Sequence, residues 1–81
     1  MKEKIINEVN ALVEKACSLG IQVKCRSCER AVSVVMQYGC AWSRTIIKFD
    51  NTEEKNNILL NRIKEFINEA QSRSNEEILN F

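Results

Sequence analysis

From position 4 to 17 the apolar residues Ile5, Ile6, Val9, Leu12, Val13, Ala16 and Cys17 recur at three- and four-residue spacing, which gathers them on one stripe of an α-helix. Asn7, Glu8, Glu14 and Lys15 fall on the other side. Gly20 follows, one of only two glycines in the chain, and supplies the left-handed position at which helices commonly stop.

Beyond Gly20 the period shortens to two. Ile21, Val23 and Cys25 alternate with Gln22, Lys24 and Arg26, and Val32, Val34, Met36 and Tyr38 alternate with Ala31, Ser33, Val35 and Gln37. This is the rhythm of half-buried strands, and the β-branched valines favour it. Gly39 with Cys40-Ala41-Trp42 reads as a turn, after which Thr45, Ile47 and Phe49 alternate with Arg44, Ile46 and Lys48. Three short strands in sequence predict an antiparallel meander. The competing possibility is a helix over positions 29 to 38.

Asp50-Asn51-Thr52 offers N-cap residues, and Glu53 and Glu54 put negative charge where a helix dipole favours it. Leu59, Leu60, Ile63, Phe66, Ile67 and Ala70 then mark a second amphipathic helix. Ser74 and Glu77 resemble a capping box ahead of Ile78, Leu79 and Phe81, predicting either a short extra turn or a continuation of the same helix.

The expected fold is therefore α+β, in the order α-β-β-β-α, with a three-stranded antiparallel sheet and two helices packed on one face. Ile21, Val23, Cys25, Val32, Val34, Met36, Ile47 and Phe49 would face the helices. The other face would carry Gln22, Lys24, Arg26, Ser33, Gln37, Arg44 and Lys48, with Ala31, Val35 and Ile46 interleaved.

Eighty-one residues suit one core and one domain over 1–81, with little room for a large substrate cavity. A hydrophobic content of 44% with 28% charge is ordinary for a chain that folds. No run is long and apolar enough to span a bilayer and Met1-Lys2-Glu3-Lys4 does not open like a signal peptide, so cytoplasmic residence without membrane association is the expectation.

The net charge of +1 hides an uneven distribution. From Ile21 to Phe49 there are five basic residues (Lys24, Arg26, Arg30, Arg44, Lys48) and one acid (Glu29). With 12 basic and 11 acidic residues in all, the remainder holds seven basic and ten acidic ones. The strand region is the basic part of the chain.

Cys25-Arg26-Ser27-Cys28 has the spacing that lets two thiolates grip one Zn²⁺ from a tight turn, and Cys17 and Cys40 could complete a four-sulfur set. The alternative is reduced thiols that are buried or incidental, since Cys17 falls on the helix stripe and free cysteine is often buried. A redox role would need a helix directly after Cys28 to depress its pKa. The valines at 32, 34 and 35 oppose that, and the chain has no proline for the cis-proline of thioredoxin-like domains.

The chain contains no histidine, so the usual general base near neutral pH is missing, and two glycines build neither a phosphate loop nor a dinucleotide fingerprint. The glutamates stand mainly on helix faces beside lysines, as a solvated surface does. The expectation is a non-enzymatic protein without a cofactor. Lys24, Arg26, Arg30, Arg44 and Lys48, with Trp42 beside them, form a candidate docking surface for phosphates or an acidic partner. Trp42 could stack on a base or anchor an interface. The plain alternative is a solvated face with Trp42 folded over the core edge. A homodimer paired through Val35 and Ile46 is a second possibility.

The order helix, three strands, helix resembles that of double-stranded RNA-binding domains, which implies recognition of duplex shape through phosphate and 2′-hydroxyl contacts. Where that family has a Gly-Pro-x-His-like loop and a lysine cluster opening the second helix, this chain has Arg26-Ser27-Cys28-Glu29 and Thr52-Glu53-Glu54-Lys55. In size and lack of catalytic chemistry the chain is also similar to phage-type inhibitors of host defence nucleases, including anti-CRISPR proteins. That likeness implies an inhibitor or regulator docking on a nucleic-acid-handling protein or on nucleic acid.

Overall fold

The computed structural model describes the backbone of residues 2–79 and the side chains of residues 2–73. Helix α1 spans Lys2–Ser18, strands β1, β2 and β3 span Gln22–Ser27, Ala31–Tyr38 and Ala41–Lys48, and helix α2 spans Glu53–Leu79. The strands form one antiparallel sheet in the order β1-β2-β3, so the fold is α+β in the expected order. Positions 31–38, where a helix competed, are extended.

Each element ends where its chemistry requires. α1 closes in a Schellman arrangement: the Gly20 amide donates to the Cys17 carbonyl and the Ile21 amide to the Ala16 carbonyl, each at 3.1 Å. Gly20 takes the left-handed conformation this needs, with φ of 82°, and the buried side chains of Ala16 and Ile21 accompany the turn. Gly39 and Cys40 form a two-residue hairpin loop between the paired Tyr38 and Ala41. Gly39 has φ of 60° while Cys40 stays at negative φ, as a II′ hairpin turn demands. Thr52 caps α2, its Oγ1 accepting from the Lys55 amide at 3.2 Å. α2 continues without a break through Ser74 and Glu77 to Leu79, while Phe81 lies outside the described residues.

The core is one continuous cluster in which Ile5, Val9 and Ala16 of α1 meet Ile21, Val32, Val34, Met36 and Ile47 of the sheet side and Leu60, Ile63, Ile67 and Ala70 of α2. α1 packs on β1, α2 on β3, and the two helices on each other. Both helices therefore cover the same sheet face. Leu12, Val13, Val23, Tyr38, Phe49, Leu59 and Phe66 are half-buried around this cluster. A helix of 27 residues is about 40 Å long, whereas an eight-residue strand is about 27 Å, so α2 outruns the sheet.

Two core assignments need correction. Cys17 and Cys25 are exposed, not buried. Cys17 lies in the last turn of α1 one residue beyond the fully buried Ala16, and that step of about 100° round the helix turns it away from the core. Cys25 lies on an edge strand whose own burial pattern is almost wholly exposed, since α1 covers only part of it.

Candidate functional site: the uncovered sheet face

Strand register fixes which side chains share the face the helices leave open. Gln22 pairs with Gln37, and Gln37 with Trp42; Lys24 with Val35, and Val35 with Arg44; Arg26 with Ser33, and Ser33 with Ile46; Ala31 pairs with Lys48. Directly paired residues project to the same side. The buried Val32, Val34, Met36, Thr45 and Ile47 occupy the alternate positions, so these four rows constitute the opposite, uncovered surface.

The outer strands hold the charge and the middle strand holds none. Lys24 and Arg26 stand on β1, Arg44 and Lys48 on β3, and all four are exposed. Between them β2 contributes Gln37, Val35, Ser33 and Ala31, a neutral lane. No acidic residue belongs to the rows. Among the described residues the only ion pair is Lys4 with Glu53 at 3.6 Å, on the helix side, so no carboxylate among the described residues engages these four cations.

Trp42 is not in the turn, where sequence spacing had put it, but in β3 opposite Gln37. Because the hairpin loop needs only Gly39 and Cys40, the strand begins at Ala41 and Trp42 falls in the outward phase. It is 69% exposed, with Ile46 at 44%, and it is not folded over the core edge. Val35 is half-buried.

Arg30 stands apart from the rows. It lies in the β1–β2 turn, where its carbonyl accepts from the Phe49 amide at 2.9 Å. A surface depression of about 470 Å³ there is lined by Arg30, Ala31, Lys48 and Phe49, but also by Glu29 and Asp50. Arg30 thus adjoins the Lys48 end of the face in a mixed-charge setting. Arg44 has a comparable neighbourhood on the β3 edge, where it lines a groove of about 320 Å³ with Arg62, Glu65 and Glu69 of α2.

The strand holds the two thiols of the CxxC apart. Cys25 is inside an extended strand and Cys28 closes it, the Cys28 amide donating to the Ala31 carbonyl at 2.9 Å. Three residues of extended chain separate Cα atoms by about 10 Å, beyond the roughly 7 Å that a disulfide tolerates, and odd spacing sends the two thiols to opposite sides. One Zn²⁺ with sulfurs at about 2.3 Å cannot reach both. Cys17 and Cys40 lie at the other end of the sheet, near the pair Gln22–Gln37. Among the described residues no three of Cys, Asp and Glu come together, and all four thiols are free and exposed. No helix follows Cys28; its thiol is held below its usual value instead by the backbone N–H groups of Arg30 and Ala31, with Lys2 adding and partial desolvation and Glu29 opposing. Partial burial pushes the Cys25 thiol up.

The start of α2 carries Glu53 and Glu54 in its first turn. A carboxylate pair there repels phosphate, so the contact that double-stranded RNA-binding domains make with a lysine cluster has no counterpart at this position.

One residue on the helix side escaped the sequence reading. Asn56 is 3% exposed, and neither its Nδ2 nor its Oδ1 has a hydrogen-bond partner. The signal was its spacing, since 56, 60, 63, 67 and 70 form one helical stripe, whereas apolarity alone begins that stripe at Leu59.

Comparison with protein-family models, with curated proteins and with solved structures gives no match.

Proposed function

We propose that this protein is a non-enzymatic binding module, an inhibitor or regulator, whose uncovered sheet face docks on a polyanion, with single-stranded nucleic acid as the ligand its layout favours. The supporting observation is the composition of the four rows: Lys24, Arg26, Arg44 and Lys48 flank a neutral lane with no acid among them, and Trp42 stands in line at one end. An exposed aromatic ring stacks a base only when that base is free of its duplex partner, which selects single strands. From Trp42 to Lys48 the strand runs about 20 Å, enough for several nucleotides to lie along the lane with phosphates toward either edge.

The test is a pull-down with the tagged full chain from lysate treated or untreated with nuclease, repeated with the Arg26→Glu/Arg44→Glu variant. Nucleic acid recovered only from untreated lysate, and lost in the variant, supports the reading. A protein captured regardless of nuclease and lost in the variant moves the function to docking on an acidic protein surface. Capture unaffected by the variant removes the sheet face as the interface.

Self-association through Val35 and the exposed Ile46 is the second reading. A two-fold pairing of this face would set its four cations against their own copies with no acid to offset them, so it is the weaker one. Light scattering over a range of concentrations decides it.

A further inference from the structure

The outer edge of β3 is left unpaired by the fold. The Phe49 amide donates to the Arg30 carbonyl at 2.9 Å, one step beyond the pair Ala31–Lys48. Hydrogen-bonded and non-hydrogen-bonded pairs alternate in an antiparallel ladder. Val32–Ile47, Val34–Thr45, Met36–Ser43 and Tyr38–Ala41 are therefore the bonded ones, and the amides of Trp42, Arg44, Ile46 and Lys48 point away from β2. So do the carbonyls of Trp42, Arg44 and Ile46, while that of Lys48 also accepts from the Asn51 amide at 3.2 Å. α2 does not close this edge, because a groove of about 320 Å³ lies there, between Ser43, Arg44 and Thr45 on one side and Arg62, Glu65 and Glu69 on the other.

An open row of N–H and C=O groups is a template for another strand, and the side chains say which strand fits. When β3 is set antiparallel to a second β3 about a two-fold axis at Thr45, Trp42 pairs with Lys48 of the other copy, and Arg44 with its Ile46. Each cation then meets an apolar side chain. Lys48 meets an indole ring, whose face attracts a cation, and the aliphatic stem of Arg44 lies along Ile46. Trp42 and Ile46 are two of the three large apolar residues exposed among the described ones. Sliding the strands by two residues sets Arg44 against its own copy in one direction and against Lys48 in the other. The centred register thus pairs the whole strand without opposing like charges. β1 has no such register, because every antiparallel self-pairing that uses most of it sets Lys24 or Arg26 against a cation.

We propose that the free edge of β3 is an interaction surface for a second copy of this chain, joining two three-stranded sheets into one continuous antiparallel sheet. The same two-fold turns the groove toward its own copy, so that Arg62 of each faces Glu65 and Glu69 of the other. The pairing lies in the plane of the sheet and does not stack the open faces. Each copy keeps its own lane between Lys24, Arg26, Arg44 and Lys48, both lanes on the same side of the joined sheet. The inference therefore goes beyond the nucleic-acid reading and does not depend on it.

The test is sedimentation of the full chain across a range of concentrations, with reductant present because all four thiols are exposed, together with amide hydrogen exchange at the lowest and highest of them. The expected result is a monomer–dimer equilibrium in which the Arg44 and Ile46 amides become protected as the dimer forms, while the Cys25 and Ser27 amides on the β1 edge keep exchanging fast. Ile46→Pro should weaken the dimer at least about tenfold, since it removes a hydrogen bond donor from each copy but none that serves the sheet itself. Val35→Lys, in the middle of the open face, should barely change it. A chain that stays monomeric up to about 1 mM would overturn the proposal, and so would a dimer whose β3 amides stay unprotected or one that Val35→Lys abolishes. Exchange in the unaltered chain decides between these outcomes even if the proline variant does not fold.

Discussion

Lys24 and Arg44 occupy the same row of the sheet on its two edge strands, with Val35 between them. Two interstrand spacings put their Cα atoms about 10 Å apart. Too far apart to share one phosphate without reaching inward, the two cations instead border a lane, and Arg26 and Lys48 continue the borders along β1 and β3. The charge is thus organised by register and not merely by composition.

Trp42 is the only tryptophan, so its fluorescence reports on this face without interference. Replacing it by Ala should weaken single-strand binding by about 1–3 kcal/mol, the usual contribution of one stacked base. Thermal stability should hardly change, because the ring is 69% exposed. A large loss of melting temperature would place the ring in the core.

Ile46 and Ile47 are neighbours in sequence with opposite fates, the first 44% exposed and the second fully buried. Ile47→Ala should cost about 2–5 kcal/mol, enough to unfold much of a domain this small, whereas Ile46→Ala should stay within about 0.5 kcal/mol. Urea denaturation of both variants checks the strand register; comparable losses would contradict it.

Asn56→Leu should raise the urea midpoint at an unchanged slope, by about 1 kcal/mol, because it removes two unpartnered polar atoms from a position that an apolar side chain fits. A lowered midpoint would show that the amide is satisfied in solution.

The thiols should separate by pH. Because the amides of Arg30 and Ala31 lower the Cys28 pKa while partial burial raises that of Cys25, Cys28 carries more thiolate at any given pH. Its alkylation by iodoacetamide should therefore set in at lower pH than that of Cys25, as peptide mapping across a pH series would show. Onset at a common pH would mean that the turn amides do not reach the sulfur.

The meander and both helices were legible because each has a clean period: two in Val32-Val34-Met36, three to four in Ile63-Phe66-Ile67-Ala70. The open cationic face followed from the same alternation. Misreadings fell where periodicity says nothing about coverage or loop length. Cys25 keeps the inward phase of β1 yet is exposed, since the phase of an edge strand does not tell how far a helix reaches over it. Trp42 went to the turn because a single glycine does not announce how short a hairpin loop is. Asn56 was overlooked because a polar residue on an apolar stripe looks like its edge. The CxxC spacing alone leaves a zinc pair open, whereas β1 continues to Ser27 and holds the two thiols apart.

The most direct test of the sheet-face account is a titration of Trp42 fluorescence with a single-stranded oligonucleotide at two salt concentrations. With no more than four cations on the rows, the account predicts that affinity falls with salt at a logarithmic slope no steeper than about −3, given about −0.7 per phosphate neutralised, and that Arg26→Glu/Arg44→Glu abolishes the quenching. Quenching that is insensitive to salt, or that persists unchanged in that variant, would contradict it.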